Sequence, residues 1–193
     1  MHERNIEELK QALLEERRSA YLRLSGGFPI PLAGAVYWFA LAIAGYQFDL
    51  RSWVMIAVWG TGGIFPLALL FAKLFKNPFM KDESPVNSVL VPTFIGMLLF
   101  WAIMVAALQT APEMAPLVLA IGLSMHWPVI GWTYGRSVLF SGHAIIRAVI
   151  VVYLWLQFPE HRLTWLPLSV AVVYVVTVLA IWVDIGILKR ARK

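Results

Sequence analysis

Residues 86–108 read "VNSVLVPTFIGMLLFWAIMVAAL", twenty-three residues without one charged side chain. A helix crosses the roughly 30 Å hydrocarbon core of a bilayer with about 20 apolar residues. Blocks of the same kind recur at about 28–46, 52–75, 115–134, 137–158 and 163–188. The chain has 193 residues, 60% of them hydrophobic and 14% charged; soluble domains carry about a quarter charged residues. In lipid the backbone must satisfy its own polar groups, which selects helices. The expectation is an all-α polytopic membrane protein. Residues 28–193 form one domain of six transmembrane helices, and residues 1–27 precede it as a separate helix and linker. "QFDLR", "KNPFMKDESP", "QTAPEM", "GR" and "PEHR" separate the spans as turns. The Gly135–Arg136 junction is the shortest of them.

Residues 1–24 read "MHERNIEELKQALLEERRSAYLRL". Asn5 and Glu8 have capping-box spacing. Ile6, Leu9, Leu13, Ala20, Tyr21 and Leu24 recur at helical spacing, so the segment is an amphipathic helix. Five acids (Glu3, Glu7, Glu8, Glu15, Glu16) balance five bases (Arg4, Lys10, Arg17, Arg18, Arg23). A helix that seeks anionic lipid is more basic than this. It is expected to pack on the membrane domain or on a second copy, or to lie at the interface. "SGG" at 25–27 ends it. A short basic region followed by an apolar core is missing, so no cleavable signal peptide is expected.

Lys and Arg bias sets the orientation. With the N-terminus cytoplasmic, that side holds the five N-terminal bases, Lys73, Lys76, Lys81, Arg136, Lys189, Arg190, Arg192 and Lys193. The other side holds Arg51 and Arg162. Both termini are then inside, as six spans require. Trp53, Trp155, Trp165, Trp132 and Trp182 fall near span ends and read as interfacial anchors. Trp38, Trp59, Trp101 and Trp127 fall deeper and read as packing residues. Pro66, Pro92, Pro128 and Pro167 lie in or near spans, where proline frees a carbonyl and kinks a helix. "GTGG" at 60–63 marks either close packing or a broken helix around a site.

Without cysteine, disulfides, thiolate catalysis and Cys-ligated metals are excluded. The net charge of +5 comes from membrane-flanking Lys and Arg and is no nucleic-acid signature. No cofactor is implied, and the partners to expect are membrane lipids.

Charge inside the bilayer costs about 2.5–3.5 kcal/mol on insertion scales and usually faces a bundle interior or wet cavity. At about 1.5 Å per residue, His126, His143 and Arg147 fall in the inner half of the fourth and fifth spans. His143 and Arg147 are four apart and share a helix face. Asp184 is the one acid within a span and the candidate counter-ion of this cluster. Tyr134 is a further candidate ligand, with Tyr37, Ser124, Ser141, Thr61 and Thr177 lesser ones. Lys73 can snorkel. Three readings stay open. Arg147 glues helices together. Alternatively, Arg147 and the histidines bind a small anionic ligand in a cytoplasm-facing cavity, with or without transport. In the third, a His and Asp184 act on a lipid or hydrophobic substrate. The last has neither an HExxH motif nor a Gly-x-Ser-x-Gly elbow. A small six-span subunit is also a candidate homo-oligomer.

The "NIEEL" helix, "GGFPIPLAGAVYW", "GTGGIFPLALLFAKLF" and "HWPVIGWTYG" followed by "HAIIR" resemble the DUF7010 family of small multi-span membrane proteins. The likeness covers nearly the whole chain. It implies a bacterial inner-membrane protein and no particular substrate or functional residue.

Overall fold

The computed structural model describes residues 2–78 and 81–191, with side chains from Asn5 onward. Regular structure among them is all helical. Helix α1 spans His2–Arg23, α2 Pro29–Ala44, α3 Leu50–Leu74, α4 Leu90–Leu98 and α5 Phe100–Thr110. Helix α6 spans Ala115–Gly122, α7 Trp127–Thr133, α8 Ser137–Gln157 and α9 Trp165–Ala191. Among the described residues six segments are long and apolar enough to cross a membrane: Ser25–Ala44, Leu50–Leu74, Pro85–Thr110, Pro112–Thr133, Ser137–Gln157 and Trp165–Ala191. This is the pattern of a multi-pass membrane protein. The third segment is jointed between α4 and α5, and the fourth is broken between α6 and α7.

Local chemistry sets the ends. The Asp49 carboxylate accepts the Ser52 N–H at 3.0 Å and caps α3. Gly26 and Gly27 hold φ of 66° and 63° between α1 and α2. A Cβ on Gly27 would stand 2.7 Å from the Tyr134 hydroxyl. At the short α7–α8 junction, Gly135 has φ 63°. The Arg136 N–H reaches the Gly131 carbonyl at 2.7 Å and the Gly135 N–H reaches that of Trp132 at 3.0 Å. These two bonds close a Schellman turn, which reverses the chain with no loop to spare.

Two sequence expectations are corrected here. Asn5 lies inside α1, which already runs from His2, and does not cap it. Of the four prolines, Pro66 alone sits in a helix interior. Pro128 occupies the first turn of α7, where its missing N–H costs nothing. Pro92 and Pro167 likewise lie in the opening turns of α4 and α9.

Helix α9 is apolar all round, as suits an element with neighbours on several sides. It packs on α2, α6 and α8. The backbones of α2 and α9 approach closely because Gly34 presents no side chain to Tyr174. Helix α3 lies along α2, α5 packs on α6, and α4 touches α7. Among the described residues no comparable packing joins α3 to α4 or α5. The bundle is therefore an open ring, with its gap between the second and third spans.

The tryptophans divide by helix rotation more than by depth. Trp53, expected as an interfacial anchor, is fully buried and donates its Nε1–H to the Leu41 carbonyl at 2.9 Å. Trp59, expected to pack, is 75% exposed on the outer face of α3. Trp38 and Trp127 are buried as expected.

Lys73, Lys76, Arg136, Lys189 and Arg190 gather at one end of the bundle, the basic end, where α1 also docks. The Arg17 guanidinium lies 4.4 Å over the Trp132 ring, and its Nε–H reaches the Trp132 carbonyl. Arg23 bridges Glu16 and Asp82, each at 3.0 Å. The Ser84 hydroxyl donates to Glu16 at 2.6 Å. Ala20, Tyr21 and Leu24 are buried, whereas Ile6, Leu9 and Leu13 stay exposed. Only the second half of the α1 stripe is thus covered. Arg192 and Lys193 from the orientation tally lie outside the described residues, as do the side chains of Glu3 and Arg4.

Candidate functional site

Helices α8 and α9 run antiparallel and meet in three polar rungs. At the basic end Arg136 Nε donates to Asp184 at 2.6 Å. Seven residues further along each helix, His143 Nδ1 lies 2.7 Å from the Thr177 hydroxyl. One turn deeper, the Arg147 guanidinium lies 5.1 Å over the Tyr174 ring. Seven residues are about 10 Å of helix, so the rungs descend from the interface toward mid-bilayer.

Each rung has its own donor arithmetic. The Thr177 hydroxyl gives its proton to the Val173 carbonyl at 2.8 Å. It can then only accept from His143, so Nδ1 of that ring carries the proton and Nε2 is a bare acceptor. That Nε2 is buried without a partner. Arg147 is fully buried. Its Nη2 donates to the Ala120 carbonyl at 2.7 Å, while Nε and Nη1 have no partner.

The Ala120 bond follows from the break in the fourth span. Past Gly122 the helix tightens, and the Ser124 N–H turns to Ile121 instead of Ala120. A buried carbonyl is left over, as at any helix end. Arg147 caps it from the neighbouring helix. Gly122 is required at this point because the Phe100 ring occupies the space a Cβ would need.

The same break places His126 and Trp127 on the wall of a cavity of about 430 Å³. Such a volume is within the range of about 300–1,000 Å³ usual for small-molecule sites. Its walls come from α2, α3, α4, α5, α7 and α9, and it occupies the gap between the second and third spans. Phe65, Phe94, Met97 and Trp101 make the lining mostly apolar, and Thr61, Asn87, Tyr134, Tyr174 and His126 are among its polar members. His126 is 7% exposed, with Nδ1 unpartnered. Its ring lies between those of Phe94 (5.4 Å) and Trp127 (4.8 Å).

Residues 13–184 match the DUF7010 family, described as a family of unknown function. The chain belongs to the DUF7010 family. No curated protein and no solved structure matches it. The matched segment of this DUF7010 protein takes in the cavity and all three rungs, ending at Asp184.

Of the residues singled out in the sequence, His126 and Tyr134 line the cavity of the DUF7010 protein. His143 and Arg147 stand behind an aromatic partition. Trp127 faces the cavity and packs 5.0 Å from His143. Tyr174 faces it too and packs 4.8 Å from His143. Asp184 is corrected as the counter-ion of Arg147. It pairs with Arg136, because it lies level with the basic-end turn and about two helical turns from His143's rung. Arg136, read as an ordinary flanking base, is thus the partner of the intramembrane acid. Tyr174 was missed. The opposed numbering of the three rungs is the sequence signal that finds it. Among the described residues no three His, Asp or Glu side chains converge on a point that could hold a metal.

Proposed function

We propose that this DUF7010 protein binds a small, largely apolar molecule in the cavity between its second and third spans. The observation that carries the reading is the cavity itself, a mostly apolar space of about 430 Å³ with the His126 imidazole and a few other polar groups in its wall. The ligand's own polar group would meet the few polar side chains of the wall, His126 among them. The Arg147 charge behind Tyr174 favours an acidic or electron-rich group there. The apolar body lies against Phe65, Phe94, Met97 and Trp101. The ligand enters sideways from the bilayer through the gap between α3 and α4. Orientation follows the positive-inside rule: the basic end faces the cytoplasm and both termini are inside; the bacterial inner membrane is the location proposed with it. The exposed Ile6, Leu9 and Leu13 face of α1 is where a second copy would dock.

A small neutral diazirine probe in nanodiscs tests the reading. It should label the His126–Ile130 peptide well above the Trp38 peptide, which is equally buried but does not line the cavity. Gly62 lines the cavity, and a Cβ there meets nothing within 4 Å. Gly62→Phe therefore has room for its Cβ, projects its ring into the cavity and should cut the labelling several-fold. Equal labelling of the two peptides, or no response to Gly62→Phe, removes the reading.

A transport function draws on a second observation. The third and fourth spans are both interrupted beside the cavity, at Leu99 and between Gly122 and Trp127. Interrupted helices surround substrate sites in many transporters. Release of bound probe into the lumen of a proteoliposome, absent in Gly62→Phe, separates transport from binding alone.

A further inference from the structure

Helix α3 ends at the basic end in a turn whose chemistry differs from that of the cavity. Lys76 adopts φ 53°. The Asn77 N–H reaches back to the Ala72 carbonyl at 2.8 Å and the Lys76 N–H to that of Lys73 at 3.3 Å. This is a Schellman closure with lysine where glycine is usual. Lys73, Lys76 and Lys81 line one concavity of about 400 Å³ with Leu69, Ala72, Asn77 and Pro78.

The three ammonium groups have little to balance them. None is in an ion pair among the described residues. Of the acids nearest in sequence, Asp82 is held by Arg23 and by the Asn87 amide. Glu83 is left, and it is exposed. The carbonyls at the end of α3 disfavour an anion, but they amount to about half a charge against three. Lysine stems lie along apolar surface while their heads stay at the interface. The floor of the concavity is Leu69 and Ala72, the residue after Ala68 and the one a turn on from it, and Ala68 lines the larger cavity. Cationic rim, apolar floor and interfacial depth thus coincide at one place on the membrane-facing helix α3.

We infer that Lys73, Lys76 and Lys81 hold the head group of one anionic phospholipid from the leaflet at the basic end. Its phosphate takes the ammonium groups, and its chains run down α3 past Leu69 along the gap to α4. Clustered basic residues just outside a span read anionic lipid generally. Here the turn gathers them into a defined site. The inference does not depend on a ligand at His126.

Native mass spectrometry of the full chain, with phosphatidylglycerol or phosphatidylcholine added to the detergent, tests it. The wild type should retain one phosphatidylglycerol several-fold better than phosphatidylcholine. Lys73→Gln/Lys76→Gln/Lys81→Gln should abolish the preference, and the triple arginine variant should keep it. Lys189→Gln/Arg190→Gln removes charge from the same end outside the concavity and should leave the preference intact. If that double variant loses it equally, general charge is responsible and the site falls. Equal retention of the two lipids by the wild type overturns the inference as well. So does equal binding of soluble glycerol phosphate, which would make this a soluble-phosphate site. A triple glutamine variant that keeps the preference has the same consequence.

Discussion

Arg136 and Asp184 form an ion pair at 2.6 Å that ties the turn before α8 to the last turns of α9, beneath the ring of Tyr21 from α1. Three elements distant in sequence meet there, at the rim of the membrane. Both side chains are partly exposed. Its contribution should therefore sit near the upper end of the range for surface pairs, about 1 kcal/mol. Asp184→Asn or Arg136→Gln should lower the melting temperature in detergent, each by a similar amount. The Arg136→Asp/Asp184→Arg swap should recover part of the loss. A double-mutant cycle with no coupling energy would show that the pair is incidental.

The sequence exposes the spans because hydrophobicity is one-dimensional and the bilayer measures length. Each expected span overlaps the observed helix to within about three residues at either end. It does not expose the partners, because they depend on rotation about each helix axis. In α9, which is apolar on every side, no stripe announces which face meets α8. That is why Trp53 and Trp59 exchange roles. Depth arithmetic already separates Asp184 from Arg147. His126 and Tyr134 were legible as polar residues in an apolar block. The cavity they share with α3 and α4 was not, since it arises from packing that is missing.

Arg147 should tolerate methionine better than lysine. Arg147→Met removes a buried cation with no carboxylate partner, whose burial costs several kcal/mol. It also loses a charged hydrogen bond to the Ala120 carbonyl, about 1.5–3 kcal/mol, and the stacking on Tyr174, about 2 kcal/mol. These opposed terms leave a net change of about 1–2 kcal/mol or less. Arg147→Lys keeps the charge and loses the flat face that lies on Tyr174. Thermal unfolding should rank wild type and Arg147→Met close together, with Arg147→Lys lowest. The reverse order of the two variants would mean that charge itself, not the guanidinium shape, is what the site requires.

Thr177 positions His143 through one shared bond. Thr177→Val is nearly isosteric and leaves the His143 Nδ1–H buried without an acceptor, which costs about 1–3 kcal/mol. Thr177→Ser keeps the hydroxyl and should lose only the buried methyl, about 0.5–1.5 kcal/mol. Nitrogen NMR of the His143 ring adds a readout that packing alone would not move. The wild type should show the Nδ1–H tautomer, and Thr177→Val should shift that population. An Nε2–H tautomer in the wild type would reverse the donor assignment.

Glu16 makes the docking of α1 sensitive to acid. The Ser84 hydroxyl first, and the Arg23 guanidinium second, hold its carboxyl below the ordinary glutamate range. A carboxylate whose value is lowered on docking contributes stability above its undocked pKa. It loses that contribution as pH falls through the docked value. The contact should therefore be constant at neutral pH and weaken below about pH 4.5, the ordinary value. The chain has no cysteine, so spin labels can be placed singly. Leu9→Cys on α1 and Val138→Cys on α8 are both exposed. The distance between them should be narrowly distributed at neutral pH and broaden on acidification. Glu16→Gln should broaden it already at neutral pH and respond less to acid, because the Asp82–Arg23 pair remains. A distribution that ignores pH in the wild type would place the hold on α1 elsewhere, in Arg17 stacked on Trp132 and the buried Ala20, Tyr21 and Leu24.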